Sequence, residues 1–519
     1  MNRDEMIARL QDSPKGWDIL VIGGGATGLG IAVDAASRGY RTALVEQDDF
    51  AKGTSSRSTK LIHGGVRYLR QGNVSLVLEA LKERGILREN APHLVTDLPF
   101  VVPNYDWWEA PFYGIGLRLY DMLAGKRGLG PSKNLSREET IERIPTIETE
   151  GLRGGVIYYD GQFDDARLAI NLAQTAAENG AVVVNYMQVT GLAKSGDMVS
   201  GVLARDLETG EEHELHAKVI VNATGVYTDA VRRMDQPDAP SIIRPSQGVH
   251  LVLDRSFLPG ETAIMVPHAD DGRVLFAIPW HDRVVVGTTD TPVEEIPLEP
   301  VPFQEEVDFI LAHAARYMTK DPQPEDVLGA FAGLRPLVGP PGDEDTAAIS
   351  REHTVHIARS GLLTIAGGKW TTYRKMAEDV LEQAIDLGQL DPKPSVTTDL
   401  RIHGYHDNAE AFGDLEMYGA DAPALDDLFR AEPRYAEHLH PARPVRAGQV
   451  VWAARNEMAR TVEDVLSRRT RTLLLDARAS VEMAPRVAEL LAEELGRDEA
   501  WVDNQIDTYA ALAEGYTVK

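Results

Sequence analysis

Gly23, Gly25 and Gly28 follow the apolar run Asp18-Ile-Leu-Val-Ile22, and an acid, Glu46, closes a second run, Thr42-Ala-Leu-Val45. Glycines and an acid at this spacing suit a dinucleotide cradle. Gly23 permits a tight turn out of the strand, Gly25 lets the backbone approach a pyrophosphate, and Gly28 lets the following helix lie close on the sheet. The free N–H groups of that helix would face the phosphates. Glu46 falls where an acid accepts hydrogen bonds from a ribose diol.

Three further constellations carry chemistry. The first is Gly53-Thr-Ser-Ser-Arg-Ser-Thr-Lys-Leu-Ile-His-Gly-Gly-Val-Arg-Tyr-Leu69. Its small hydroxyls, Thr54, Ser55 and Ser56, can pack under a flat ring, with Lys60, His63, Arg67 and Tyr68 beside them. A polar loop capping a helix explains the hydroxyls but not the dense cations. In Thr364-Ile-Ala-Gly-Gly-Lys-Trp-Thr-Thr-Tyr-Arg374 a buried strand ends in Gly367 and Gly368, then Lys369, then a helix expected over 372–387. The positive end of that helix suits a flavin, whose reduced ring carries negative charge. Phe331-Ala-Gly-Leu-Arg-Pro-Leu337 places Arg335 beside a proline, in a loop, where arginine can grip a phosphate or carboxylate bidentately. His250, in Pro245-Ser-Gln-Gly-Val-His250, is expected at the start of a strand. It reads equally as a structural hydrogen-bonder or as a base.

The elements that must position these residues are short apolar runs at 181–185, 218–225 and 362–368, with a helical pattern over 166–179. They predict an α/β fold: a Rossmann-like cofactor domain assembled from 1–85, 150–235 and 325–389. Aromatic and β-branched stretches at 272–279 and 283–287 predict an inserted antiparallel-sheet substrate domain, 86–149 and 236–324. From 390 to 519 the pattern is helical.

The chain has 519 residues, of which 43% are hydrophobic, and a formal net charge of −27, which argues against nucleic acid as a partner. With no cysteine there is no disulfide, thiolate ligand or redox dithiol, so redox chemistry would need a bound cofactor. Residues 1–15 carry no secretory pattern and no apolar run is long enough to span a bilayer, so a cytoplasmic location is expected.

Taken together, these motifs resemble the FAD-dependent glycerol-3-phosphate dehydrogenases, within the D-amino-acid-oxidase-like flavoproteins. The resemblance also covers Ile278-Pro-Trp280, Gly287-Thr-Thr-Asp290 and Val451-Trp-Ala-Ala-Arg-Asn-Glu-Met-Ala-Arg-Thr461. It implies oxidation of sn-glycerol 3-phosphate to dihydroxyacetone phosphate, with hydride passing from C2 to flavin N5 and electrons to a quinone. It implies catalytic roles for His250, Arg335 and Lys369, with His250 and Lys369 both open as the base. Substrate contacts would come from Arg67, Tyr68, Arg335, Lys369 and Thr371. FAD contacts would come from Gly23, Gly25, Gly28, Glu46, Thr54, Ser55, Ser56, Lys60, Leu61, His63, Val189, Gly225, Gly368, Lys369 and Thr371.

The resemblance further implies peripheral contact with the inner face of the cell membrane, for which the aromatic stretch 107–120 is the candidate surface. The alternative for that stretch is a helix packed on the inserted domain. A homodimer is left open. The competing functions are a glycerol-3-phosphate oxidase using dioxygen and a non-catalytic flavin-binding subunit.

Overall fold

The computed structural model describes residues 1–13, 15–65, 73–106, 109–266, 274–339 and 352–518. Its first sheet runs His353–Ile357, Leu363–Gly367, Glu212–Asn222, Trp17–Ile22, Thr42–Val45, Val182–Val184. All neighbours are parallel except the first pair. The central strands Trp17–Ile22, Thr42–Val45 and Val182–Val184 are almost wholly apolar because helices cover the middle of the sheet, and Ile19, Leu20 and Val21 are fully buried, whereas the edge strand His353–Ile357 and the first half of Glu212–Asn222 are polar. The helices Ala26–Ser37, Asp165–Glu178 and Tyr373–Leu387 supply the cover. Ala26–Ser37 approaches Tyr373–Leu387 so closely that a Cβ on Gly30 would lie 2.8 Å from the Tyr373 ring. A meander, Met187–Ser195 and Met198–Asp206, extends the sheet through Glu212–Asn222.

The second sheet is built on the long antiparallel pair Ile243–Asp254 and Val327–Val338, with His250 opposite Phe331 and Ser246 opposite Arg335. It continues through Arg283–Gly287, Leu275–Trp280, Ala263–Val266, Val95–Asn104, Gly154–Phe163 and Leu61–Ile62. Its described pairs are antiparallel except Ala263–Val266 with Val95–Asn104.

Three strands of this sheet come from segments expected elsewhere. Val327–Val338, Gly154–Phe163 and Leu61–Ile62 fall in segments assigned to the cofactor domain by sequence, yet they pair into the second sheet. None of the three reads as an isolated apolar run, and local pattern does not encode which sheet a segment joins. His250 is also in mid-strand rather than at a strand start. Arg335 is on a strand rather than in a loop. Pro336 reads as a breaker, but proline is tolerated near a strand end where its N–H is not required.

The C-terminal unit is helical, with Ala422–Ala431, Ala447–Asn456, Ala477–Leu495 and Glu499–Glu514, plus a small hairpin His438–His440 and Arg443–Arg446. Its core is continuous with Val252, Trp280, Val285 and Phe331 of the second sheet, so it buttresses the wall that carries His250.

Candidate active site

A cavity of about 900 Å³ runs between the two sheets. On its parallel-sheet wall the glycine turn has the expected form. Gly23 has φ +110, in the region that favours glycine, and a Cβ on Gly28 would lie 1.9 Å from the Gly23 carbonyl oxygen. Gly25 is the N-cap of the helix Ala26–Ser37, and a Cβ there would stand 3.0 Å from Ser55 Oγ, which itself accepts from the Ala26 N–H at 2.9 Å. The Glu46 carboxylate accepts from the N–H groups of Gly24 at 2.6 Å and Asp48 at 2.9 Å. Burial outweighs those bonds and pushes its pKa up to about 7.

Gly367 and Gly368, with φ +79 and +81, turn the chain from the strand Leu363–Gly367 toward the short turn Trp370–Thr372. A Cβ on Gly368 would meet Met376 Sδ at 2.4 Å. The turn brings Lys369 and Thr371 to the cavity, where Thr371 Oγ1 accepts from the His63 N–H at 3.2 Å. Burial, and then the charge of Lys369, lower the His63 pKa to about 3, so its ring is neutral. The Trp370 indole donates to the Ser55 carbonyl at 2.9 Å, tying this turn to the hydroxyl loop.

The antiparallel-sheet wall presents side chains. The Arg335 guanidinium donates to the carbonyls of Gln247 and Thr289 at 3.2 and 2.9 Å, to Thr288 Oγ1 at 3.2 Å and to Asp290 Oδ1 at 3.3 Å. Ser246 also donates to Asp290. Gly248 lies under the guanidinium, and a Cβ there would come within 2.2 Å of Nη2.

His250, only 2% exposed, stacks on Phe331 with ring centroids 4.9 Å apart. Its Nε2 is 2.9 Å from Thr59 Oγ1, and its Nδ1 has no hydrogen-bond partner among the described residues. Burial first, then the charges of Lys60 and Arg335, hold its pKa well below the usual histidine range. A neutral imidazole has one donor and one acceptor nitrogen, and the Thr59 contact uses only one of them.

Of the residues assigned from sequence, Gly23, Gly25, Glu46, Thr54, Ser55, Leu61, His63, Val189, Gly225, His250, Arg335, Gly368, Lys369 and Thr371 line this one cavity. Gly28 acts through packing. Ser56 and Lys60, also expected as cofactor contacts, do not line the cavity. Lys60 is fully buried, and its ammonium donates to the Ser56 carbonyl and to Asp165 Oδ2, both at 2.7 Å, lying 5.0 Å over the Phe331 ring. Burial lowers its pKa to about 7. Arg67 and Tyr68 lie outside the described residues.

Thr59, Thr288, Asp290 and Gly248 were missed as site residues. Gly287-Thr-Thr-Asp290 and the hydroxyl run were both visible as motifs, but their roles depend on partners across the cavity.

Residues 18–374 match the family model described as FAD dependent oxidoreductase, and residues 362–502 match that of the C-terminal domain of alpha-glycerophosphate oxidase. The chain is 42% identical to a Macaca fascicularis protein named mitochondrial glycerol-3-phosphate dehydrogenase, over 98% of this chain and 74% of that one. A Schizosaccharomyces pombe protein of the same name is 36% identical over 97% and 88%. The solved glycerol-3-phosphate dehydrogenase of Bacillus halodurans, complexed with FAD, superposes with a TM-score of 0.81 at 31% identity, covering 99% of this chain and 97% of that one. The L-alpha-glycerophosphate oxidase of Mycoplasma pneumoniae, at 17% identity and a TM-score of 0.57 over 74% of this chain and 98% of that one, shares the fold.

Proposed function

Because the chain belongs to the FAD-dependent oxidoreductases and, within them, to the glycerol-3-phosphate dehydrogenases, we propose that its cavity holds FAD along the parallel-sheet wall and oxidises sn-glycerol 3-phosphate to dihydroxyacetone phosphate against the antiparallel-sheet wall. The observation that carries this reading is the convergence of His250 and Arg335, from the antiparallel-sheet wall, and Lys369, from the wall that carries the glycine cradle, on one cavity. The residues fit the cofactor: the space beside Gly25 is one a Cβ would narrow to 3.0 Å from Ser55 Oγ, and the Glu46 carboxylate stands ready for a diol.

A bound FAD supplies a two-electron acceptor for the hydride from C2. The chain's part is to grip the phosphate and take the proton from the C2 hydroxyl. Arg335 and Lys369 supply cations for a dianion that needs more than one, and Arg67 is a further candidate. We assign the base to His250. It is neutral and held by Thr59, and a phosphate dianion nearby favours its protonated form, so its basicity rises as substrate binds.

Two features support transfer of the electrons to a quinone at the inner face of the cell membrane. One end of the cavity is lined by Phe100, Tyr158, Met265 and Phe276, an apolar compartment suited to a flat ring. The helix Glu109–Ala124 exposes Phe112, Ile115, Leu119 and Met122 along one side, a face suited to lying in a lipid interface. Trp107 and Trp108 lie outside the described residues. Among the described residues no helix is long and apolar enough to cross a membrane.

The test is anaerobic addition of glycerol 3-phosphate to the purified flavoprotein. Bleaching of the oxidised flavin band, reversed by a quinone analogue and only slowly by air, is expected. Fast recovery in air with peroxide would make the enzyme an oxidase, and an unresponsive spectrum would overturn the substrate. Sedimentation with anionic liposomes, lost on Ile115→Ser and Met122→Ser together, checks the membrane face.

A further inference from the structure

The loop between Glu46 and Lys60 has two faces. Lys52, Thr54, Ser55, Ser58 and Thr59 line the cavity. Asp49, Ser56 and Lys60 turn away from it into a buried ionic layer fed by three arginines of the C-terminal unit. Arg468 donates to Asp49 Oδ2 at 2.5 Å, and Arg469 pairs with the same carboxylate through both terminal nitrogens. Arg471 donates to the Ser56 carbonyl at 2.9 Å and to Asp165 Oδ1 at 2.8 Å. Asp165 in turn receives Lys60 and the Ser58 hydroxyl, each at 2.7 Å. Exposure of Arg468, Arg469 and Arg471 is 1%, 0% and 0%.

Burying three guanidiniums is a poor way to gain stability, since well-packed apolar residues of similar volume serve as well or better. The local backbone is unusual too. Arg471 has φ +62, in the left-handed region, just beyond the π-helical turn Asp464–Arg469 and its cap Thr470. What the arginines do provide is direction: each of the three places at least one bond on Asp49 or Ser56, on the back of the segment whose front lines the cavity.

We propose that Arg468, Arg469 and above all Arg471 are positioning residues for the cofactor loop, which makes the C-terminal helical unit a working part of the FAD site. This rests on the FAD reading above. The Ser56 carbonyl, held from behind by Arg471 and Lys60, fixes the plane of the Ser56–Arg57 peptide, next to Ser55. Removing the guanidinium leaves that carbonyl held by Lys60 and takes from Asp165 its guanidinium partner, with Lys60, Ser58 and the Ala166 N–H remaining.

The test is FAD affinity of the apo-protein, followed by flavin fluorescence, for wild type, Arg471→Met and Arg471→Lys, with circular dichroism to confirm folding. Arg471→Met should weaken FAD binding about tenfold or more, and guanidinium ion should restore part of it in Arg471→Ala. The KM for glycerol 3-phosphate at saturating FAD should not move. Arg486→Met, which removes an exposed pair with Glu489, is the control and should leave FAD affinity unchanged. Folded variants that bind FAD as tightly as wild type would overturn the proposal. If Arg471→Met does not fold, hydrogen exchange over residues 49–60 in Arg471→Lys decides: faster exchange than wild type supports the clamp, and unchanged exchange overturns it. Wild type that fails to bind FAD would instead remove the flavin reading itself, and the clamp with it.

Discussion

The two walls of the cavity are built by opposite means. The parallel-sheet wall works largely through backbone, with Gly23 at φ +110, Gly368 at φ +81, and N–H groups at the start of the helix Ala26–Ser37; Glu46, Lys369 and Thr371 add side chains to it. The antiparallel-sheet wall works through side chains, His250, Arg335 and Asp290, each held by the pairing of the strands around it. A site made of backbone is local in sequence and has no room at its glycines. A site made of side chains tolerates small shifts of the chain but loses its chemistry when a single group goes.

Gly28→Ala is the most damaging way to test that contrast. The added Cβ would sit 1.9 Å from the Gly23 carbonyl oxygen, and neither backbone can yield without opening the turn. Overpacking of this kind costs about 1–3 kcal/mol or more. The purified variant should lack the flavin spectrum and melt below wild type; normal flavin content would break the comparison.

Arg335→Ala should do the reverse. The flavin stays bound and kcat/KM falls roughly 100-fold, about 3 kcal/mol, the worth of a lost charge-assisted contact. Unchanged kinetics would remove Arg335 from the site. Gly248→Ala sharpens the point, because its Cβ would displace only the end of the Arg335 side chain, 2.2 Å away, and no backbone. The expected result is a KM raised about tenfold, about 1.4 kcal/mol, with flavin content and melting temperature near wild type.

The same contrast governs what could be read from the chain. The cradle was legible to the residue because turn, helix and acid lie within one short stretch, and glycine has few reasons to recur at that spacing. The second wall was legible only as residue types. Arg335 stood out as a cation, but Pro336 hid its strand, and the partners Thr288 and Asp290 follow from strand pairing, which periodicity does not encode. Lys60 shows the limit most clearly. It sits in the cofactor motif, yet it points backward because Asp165 and Arg471 lie behind the loop, and Arg471 is 415 positions from the Ser56 carbonyl it binds. Val327–Val338 is legible only through Phe331–Leu337, which reads as a loop, and nothing in its composition assigns it to the second sheet.

The smallest predicted effect asks whether the one carboxylate of the backbone wall behaves as part of the cradle. Burial raises the Glu46 pKa from 4.5 to about 7, so folding favours its protonated form. Its contribution to stability is therefore fully present below about pH 4.5 and lost as pH rises through 7. A ribose diol donating to Glu46 requires the ionised form, so FAD affinity should move the opposite way, rising about threefold between roughly pH 6.5 and pH 7.5 as the carboxylate titrates. Calorimetric titration of apo-protein with FAD, beside melting curves of the apo-protein, reads the two slopes separately. Glu46→Gln should flatten both. If FAD affinity keeps its pH dependence in Glu46→Gln, another group titrates on binding and the acid is not the diol's partner. If only the melting slope disappears, Glu46 holds the Gly24 and Asp48 amides for the fold, and the backbone alone recognises the cofactor.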